Sequence, residues 1–297
     1  MTQMELLVDA KNALGECVIW CERQHLLFWA DILGKRLFSH QIETGATQQW
    51  SMPDALASFA LTEDDDRVLL GLGSQLAYFQ LSTGQITSIC QVESDLPTTR
   101  INDGRCDRQG RFVFGSFNQA QDGAAIGSFY RLNLDLSLER LPLQKVAVAN
   151  SICFSPDGGT MYYCDSPSKI IRCCSYDQAS GAISQERIFA DLSAQPGEPD
   201  GSAIDADGYL WNAQWRGNRI LRFAPDGRLD RVLHLPVSQV TCVAFGGADL
   251  RRLFASSART LLLDAELLAQ PQAGGVFHAV INDARGGPEQ RFLGKLG

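Results

Sequence analysis

Four polar residues stand just ahead of short apolar runs: Glu16 in LGECVIW, Asn102 in RINDGRCD, Asn150 in ANSICFSPDG and Asp200 in EPDGSAIDADG. Carboxylate and amide oxygens are the ligands that a hard divalent cation prefers. Two carboxylates about 4 Å apart repel each other by roughly 4 kcal/mol at an effective dielectric near 20, so such a pair requires a shared proton or a cation. If the fold brings these residues together, we favour one divalent metal ion held by Glu16, Asn150 and Asp200, with open positions for water and substrate.

A purely structural interpretation of these residues is the alternative. Asn and Asp often begin strands because their side chains satisfy backbone groups of a turn, although four of them at one place in a repeat favour a shared site. The four histidines lie outside these positions: His25, His40, His234 and His278. Several other acidic residues are expected to be structural, in Asp-Gly turns or at strand ends: Asp157, Asp207, Asp226, Asp31 and Asp165.

The chain repeats a strand-rich unit six times. A strand of bulky residues recurs as LLFWAD (26–31), RVLLGL (67–72), RFVFGS (111–116), TMYYCD (160–165), GYLWNA (208–213) and RRLFAS (251–256). Subtraction of residue numbers gives steps of 41, 44, 49, 48 and 43 between the aligned bulky residues Trp29, Leu70, Phe114, Tyr163, Trp211 and Phe254. Six such units predict an all-β fold, a six-bladed β-propeller with a central channel. Two β-sandwiches are the alternative, but they do not explain the steady period.

A propeller would position the four polar residues. They precede the aligned bulky residues by 11–13 positions, at the start of the strand that lines the channel in each blade. The equivalent positions of the other two units lie near Ser58 and Thr241. Because equivalent positions in a ring of repeats converge at one end of the axis, we expect the four polar side chains to surround one small space.

The whole of residues 1–297 is interpreted as a single six-bladed domain. Apolar segments stand near both ends, MELLVDA at 4–10 and QRFLGK at 290–295. We expect these two segments to pair and close the ring, since closure would remove an exposed sheet edge.

Composition and charge exclude several classes of partner. The hydrophobic fraction of 45% and the charged fraction of 20% are those of an ordinary globular protein. The net charge of −8, without clustered Lys and Arg, argues against nucleic acid. No apolar run approaches the roughly 20 residues that cross a bilayer, and the N-terminal segment with Glu5 and Asp9 lacks a signal-peptide pattern. We therefore expect a cytoplasmic protein, with no membrane partner, that is a monomer.

The nine cysteines do not follow a metal-binding or disulfide pattern. Their number is odd, three residues separate Cys17 from Cys21, and Cys173 and Cys174 are adjacent. Most of the others occupy positions where a strand takes a small apolar side chain. Reduced, buried thiols are the favoured interpretation, with a zinc cluster or a disulfide framework as the alternative.

At these motifs the chain resembles the family of senescence marker protein, gluconolactonase and luciferin-regenerating enzyme, which includes regucalcin. The resemblance covers essentially the whole chain. It is carried by LGECVIW with LLFWADI, by the Arg-x-Asn-Asp-Gly motif in RINDGRCDRQGRFVFGS, by VANSICFSPDGGTMYYCDS, by EPDGSAIDADGYLWNAQW and by LFASSA with AQPQAGGVF. Together these motifs are far more specific than a single Asp-Gly turn.

The resemblance implies a six-bladed propeller that binds one divalent ion and hydrolyses sugar lactones. An oxygen-rich site leaves Ca²⁺, Zn²⁺, Mn²⁺ and Mg²⁺ all open as the ion. Carried over by position, Glu16, Asn150 and Asp200 would be the metal ligands, and Arg100 and Asn102 would contact the substrate. The chain departs from the family at one place. Regucalcin-like members have a Glu shortly before the third strand of blade three, whereas QDGAAIGSFY has no carboxylate between Ala124 and Ile126. The preferred sugar can therefore differ.

The implied reaction is the metal-dependent opening of glucono-, galactono- or arabinono-lactone to the aldonic acid. A divalent ion polarises the ester carbonyl or acidifies a water, and Asp200 is the candidate general base. Arg100 supplies directed donors, and Asn102 supplies a donor and an acceptor. Two alternatives stay open, a paraoxonase-like esterase and a non-enzymatic calcium-binding or interaction propeller.

Overall fold

The computed structural model describes residues 3–295, and within them almost all regular structure is β-strand. The first half contains β1 (Glu5–Val8), β2 (Gly15–Cys21), β3 (Leu26–Asp31), β4 (Arg36–Gln41), β5 (Thr47–Ser51), β6 (Leu56–Leu61), β7 (Arg67–Leu72), β8 (Gln75–Gln80), β9 (Ile86–Gln91), β10 (Thr99–Cys106), β11 (Phe112–Asn118), β12 (Phe129–Leu132) and β13 (Leu138–Arg140). The second half contains β14 (Ala149–Phe154), β15 (Thr160–Asp165), β16 (Ile170–Tyr176), β17 (Ile183–Asp191), β18 (Glu198–Ile204), β19 (Leu210–Trp215), β20 (Arg219–Phe223), β21 (Leu229–His234), β22 (Val240–Gly246), β23 (Arg252–Ser257), α1 (Asp264–Ala269) and β24 (Val276–Val280). None of the helices in this described range is long and apolar enough to cross a membrane.

The strands form six antiparallel sheets of four strands each, and each sheet is one blade. This architecture confirms the predicted all-β, six-bladed β-propeller fold. The chain also divides into two compact units. The first unit contains the residues up to Ala55 together with Leu192–Glu289, and the second contains Leu56–Asp191 together with the residues from Gln290 onward. The interpretation of residues 1–297 as a single domain stays a prediction.

Each unit contains three blades. In the first unit the sheets are β2-β3-β4-β5, β18-β19-β20-β21 and β1-β24-β23-β22. In the second unit they are β6-β7-β8-β9, β10-β11-β12-β13 and β14-β15-β16-β17. Five of the six sheets use consecutive strands, as expected for a repeat whose members are joined by short turns.

The expected pairing of residues 4–10 with residues 290–295 is wrong. Strand β1 pairs with β24 instead, with Glu5 opposite His278, and it completes the last blade of the first unit. Phe292 donates its backbone N–H to the Leu61 carbonyl at 2.8 Å and is 1% exposed, so the C-terminal segment packs within the second unit. The reason is burial, because the Phe292 ring lies 6.2 Å from the Tyr78 ring in that core.

The bulky residues aligned from the sequence form the core of the blades. All six are at most 3% exposed: Trp29, Leu70, Phe114, Tyr163, Trp211 and Phe254. In the first unit Trp29 stacks on Phe38 with ring centroids 4.9 Å apart. In the second unit Phe112 and Phe114 stack at 5.6 Å. Because burial of one such large apolar side chain stabilises the fold by about 1.5–3 kcal/mol, the repeat position favours bulky residues.

Carboxylates at the ends and turns of strands accept hydrogen bonds from backbone N–H groups in several of the blades. Asp31 accepts hydrogen bonds from the Ala13, Leu14 and Gly34 N–H groups at 2.9–3.0 Å, as its expected bracing role requires. Asp165 does the same for the Ala147 and Val148 N–H groups, and Asp157 and Asp226 accept from the backbone of their own turns.

The turn that contains Asp207 differs from the sequence expectation. There the accepting carboxylate belongs to Asp205, which binds the backbone N–H groups of Asp207 and Tyr209 at 3.1 and 2.9 Å. Its other oxygen accepts from Trp211 Nε1 at 3.0 Å and from Arg222 Nη2 at 2.9 Å. Asp205 is therefore the carboxylate that closes this turn.

All nine cysteines are free thiols, and only Cys90 is more than slightly exposed. Burial raises the pKa of the Cys90 and Cys173 thiols, and it raises that of Cys174 to about 12. These thiols are therefore protonated and unreactive near neutral pH. The prediction of free, buried thiols is confirmed for eight of the nine cysteines, and Cys90 is partly exposed.

Candidate metal and substrate site

Four of the candidate residues, Glu16, Asn102, Asn150 and Asp200, lie at a β-bulge of a first strand, whereas Arg100 pairs regularly with Phe117 just before one. The register of pairing shifts between Glu16 and Ile19 in β2, between Ile101 and Gly104 in β10, between Asn150 and Cys153 in β14, and between Pro199 and Ser202 in β18. Similar shifts occur in β6 and β22. A bulge re-aims the side chains beside it. Since all six first strands have a bulge, the bulge is a feature of the repeated unit and does not by itself mark a site. The types of side chain at each bulge determine whether it can bind a ligand.

The second unit brings three of the predicted residues into contact. Arg100 Nη1 donates to Asn102 Oδ1 at 2.7 Å and to the Ile101 carbonyl at 2.8 Å. Asn102 Nδ2 in turn donates to Asn150 Oδ1 at 3.2 Å. Arg100, Asn102 and Asn150 are 6%, 8% and 5% exposed, so this is a buried polar chain. Such a chain stabilises a unique arrangement of its members when each bond is made.

The amide groups in this chain have a defined orientation. Asn150 Nδ2 donates to Ser166 Oγ at 2.8 Å, so its Oδ1 is the atom directed at Asn102. A carbonyl oxygen has two lone pairs, and the bond from Asn102 uses one of them. Asn150 therefore presents an acceptor oxygen, the atom that a hard cation requires.

Arg100 is a buried cation on this chain. Its guanidinium carbon lies 4.8 Å from the centroid of the Phe117 ring, a cation–π contact from the neighbouring strand β11. The planar guanidinium is fixed by this ring and by its two bonds. It is suited to donate to a carbonyl or hydroxyl oxygen of a small polar molecule.

Asp103 belongs to the same bulge, and the sequence interpretation gave it no role. Its Oδ2 accepts the Ile152 backbone N–H at 2.7 Å, which ties β10 to the bulge of β14. Burial raises the pKa of the Asp103 carboxyl, while the bond from Ile152 and the charge of Arg105 oppose the shift. The adjacent residues Asn102 and Asp103 thus hold the two ends of the bulge that presents Asn150.

In the first unit, Glu16 is half-buried on β2. Its Oε2 accepts the backbone N–H of Cys17 at 3.2 Å. Cys17 has a φ of 50°, a left-handed conformation that is uncommon for a residue with a side chain. The carboxylate is therefore set beside a strained backbone, a feature that clusters at functional sites.

Asp200 lies on β18 of the first unit and is 6% exposed. Asn212 Nδ2 on β19 donates to the Asp200 carbonyl and to Ser202 Oγ, both at 2.9 Å, and so spans the bulge. Gly201 packs against Cys242, since a Cβ at this position would lie 2.9 Å from the Cys242 Cβ. The close approach of β22 explains why glycine follows Asp200.

A divalent ion would find only oxygen donors on the predicted ligands. Among residues 3–295 no cluster of three or more His, Cys, Asp and Glu side chains is arranged to hold a metal ion. The predicted set contains two carboxylates and one amide, so it depends on the amide oxygen of Asn150. The orientation of that amide fits this requirement, and an all-oxygen set fits Ca²⁺, Mg²⁺ or Mn²⁺ better than a thiolate-preferring metal.

The segment that lacks the expected Glu forms its own turn. Asp122 is the carboxylate of this segment, and its Oδ1 accepts the Ala124 N–H at 3.0 Å and Asn118 Nδ2 at 3.2 Å. Its role is thus to close the turn between β11 and β12.

Comparisons with known proteins agree with these motifs. The family model described as SMP-30/Gluconolactonase/LRE-like region matches residues 14–259. The chain is 48% identical to the L-arabinolactonase of Azospirillum brasilense over 98% of this chain and 96% of that protein. It is 32% identical to the 6-deoxy-6-sulfogluconolactonase of Pseudomonas putida over 94% and 95% of the two chains.

A solved structure shows the same fold. It is the calcium-binding protein regucalcin from Agrobacterium tumefaciens, which matches with a TM-score of 0.92 and 30% sequence identity. The match covers 98% of this chain and 97% of the other. The similarity therefore extends over all six blades.

Proposed function

Because the chain belongs to the SMP-30/gluconolactonase/LRE-like family, we propose that it hydrolyses the lactones of sugar acids to the open acids. One observation carries this proposal, the 48% identity to an L-arabinolactonase along nearly the whole of both chains. It favours a five-carbon aldonolactone, the lactone of L-arabinonic acid, over glucono- or galactonolactone. The change at Ala124–Ile126 is consistent with a substrate that differs from that of regucalcin-like members.

We further propose that Glu16, Asn150 and Asp200 hold one divalent ion. The oxygen donors fit a hard cation, and Asn150 is held by Ser166 and Asn102 with its oxygen available. When bound, such an ion polarises the ester carbonyl and acidifies a water molecule. The ion is Ca²⁺, Mg²⁺, Mn²⁺ or Zn²⁺ by this proposal, and the calcium-binding relative favours Ca²⁺.

The protein's own residues have three tasks in the reaction. Asp200 accepts the proton of the attacking water as general base. Arg100 donates to the lactone oxygens on which negative charge develops, a task for which its fixed guanidinium is suited. Asn102 orients Arg100 and Asn150 rather than contacting the substrate itself, because its side-chain amide already makes hydrogen bonds to Arg100, Ala149 and Asn150.

A panel of esters tests the proposal. The purified protein, supplied with Ca²⁺, Mg²⁺, Mn²⁺ or Zn²⁺ in turn, is mixed with L-arabinono-γ-lactone, D-galactono-γ-lactone, D-glucono-δ-lactone and phenyl acetate. Acid release is followed with a pH indicator. We expect the highest kcat/KM for the arabinonolactone and almost no turnover by Asp200→Asn. Faster hydrolysis of phenyl acetate would favour the paraoxonase-like esterase, and no hydrolysis with any ion would favour the non-enzymatic propeller.

A further inference from the structure

Thr241 makes a contact that no family motif indicates. It is fully buried on β22, at the repeat position equivalent to Asn102. Its Oγ1 donates a hydrogen bond to the carbonyl of Gly15, the residue before Glu16. Its Oγ1 also lies 2.8 Å from Ser256 Oγ. The contact joins the first strands of two blades within the first unit.

The direction of these bonds follows from the chemistry of a hydroxyl. A threonine hydroxyl has one proton to donate and two lone pairs. The Gly15 carbonyl can only accept, so the Thr241 proton goes to it. Ser256 must then donate to Thr241. The Gly15 carbonyl is thus held at the end of a buried chain of two hydroxyl groups.

The backbone around Glu16 is fixed on both sides. Before it, Gly15 is packed so closely that a Cβ would lie 2.7 Å from Asn12 Nδ2 and from the Ser257 carbonyl. After it, Cys17 has its φ of 50° and donates to the Glu16 carboxylate. The bond from Thr241 holds the peptide that leads directly into Glu16.

The second unit has the same arrangement with different residues. Asn102 Nδ2 donates to the carbonyl of Ala149, the residue before Asn150, at 2.8 Å. The residue after Asn150 is Ser151, which has a φ of 60°. Among the six first-strand bulges of residues 3–295, a non-glycine residue of positive φ occurs in two, the ones that follow Glu16 and Asn150.

We infer that Thr241 is a positioning residue for Glu16, as Asn102 is for Asn150. In each case a side chain from one blade holds the carbonyl that precedes a ligand on another blade of the same unit. The inference rests on the proposed function, since it assumes that both residues bind a divalent ion. Residues that orient metal ligands typically change metal affinity by tenfold or more when they are removed.

Metal binding by three variants tests the inference. Thr241→Val keeps the shape of the side chain and removes the donor, Thr241→Ser keeps the donor, and Ser256→Ala removes the neighbouring hydroxyl while Thr241 still donates. Full-length proteins are stripped of metal and titrated calorimetrically with Ca²⁺ and with Mn²⁺. We expect affinity about tenfold weaker for Thr241→Val and close to wild type for the other two. Thr241→Ala gives the same readout if valine crowds the carbonyl and the protein does not fold.

The possible outcomes separate the two proposals. If wild type binds an ion and Thr241→Val or Thr241→Ala binds it equally well, the positioning role is wrong. If Thr241→Ser and Ser256→Ala weaken binding as much as Thr241→Val, the effect comes from general packing, which also contradicts the inference. If wild type binds no divalent ion, the proposed metal-dependent function itself fails.

Discussion

Replacement of Asn102 by alanine would remove the centre of the buried chain in the second unit. The substitution deletes the acceptor of the Arg100 bond at 2.7 Å and the donor to the Ala149 carbonyl at 2.8 Å. It also deletes the bond to Asn150 at 3.2 Å. Asn150 keeps Ser166, and Arg100 keeps the Ile101 carbonyl. The perturbation is therefore confined to groups around the site.

The expected loss of stability follows from these three bonds. A bond to a charged group contributes about 1.5–3 kcal/mol, and each neutral bond contributes about 1 kcal/mol. The sum is an upper limit because water can enter the space left by the amide, so we expect the free energy of unfolding to fall by about 2–4 kcal/mol. A domain with the usual stability of about 5–15 kcal/mol remains folded after such a loss.

Activity should fall by a larger factor than stability alone explains. We expect kcat/KM for L-arabinono-γ-lactone to drop at least tenfold, because Asn150 and Arg100 lose their alignment. Urea denaturation measures stability, and the pH-indicator assay measures turnover. Tyr176→Phe is the matched control, since it removes a buried bond to Asp107 at 2.8 Å elsewhere in the second unit. A variant of Asn102 with unchanged kcat/KM, or a Tyr176 variant that is equally inactive, would refute the reasoning.

Two further predictions concern stability rather than chemistry. Asp205→Ala removes one of the two carboxylate partners of the buried Arg222 and should lower the free energy of unfolding by about 3–5 kcal/mol. The kcat of the folded protein should stay near wild type. Unchanged stability in urea denaturation would contradict this prediction. Burial lowers the pKa of His40 and of His278 below the ordinary 6.5, so the unfolded chain binds more protons. The contribution of these two histidines to stability should rise with pH up to about 6.5 and fall in acid below it, while the buried Asp103 and Asp165 carboxyls, whose pKa burial raises, contribute in the opposite direction. In melts recorded from pH 5 to 7, the slope of stability against pH should be less positive for His278→Gln than for wild type; an unchanged slope would argue against it.

The fold was accessible from the sequence because one bulky side chain per repeat fills the core of a blade. Trp29, Tyr163 and Trp211 are all buried where the period places them. The closure of the last blade was not accessible in the same way. Short apolar segments at the two ends of a chain have similar sequence patterns. Which strand or core each of them packs against depends on contacts with distant residues, which the pattern does not specify. Phe292 finds its place in the second unit, and β1 pairs with β24.

The candidate site was predictable in residue type but not in its supporting contacts. Arg100 and Asn102 stand in a specific motif, and the structure connects them to Asn150. Thr241 and Asp103 act through bonds to the backbone of distant residues, and such bonds leave no signature in local spacing. The cytoplasmic location and the monomeric state remain predictions from the sequence.

Calorimetric titration of the metal-stripped protein tests directly whether Glu16, Asn150 and Asp200 together bind one cation. We predict that wild type binds one divalent ion per chain, and that Glu16→Gln, Asn150→Ala and Asp200→Asn each weaken binding at least tenfold while remaining folded. Wild-type protein that takes up no ion, or three variants that bind it as tightly as wild type does, would contradict the proposed site.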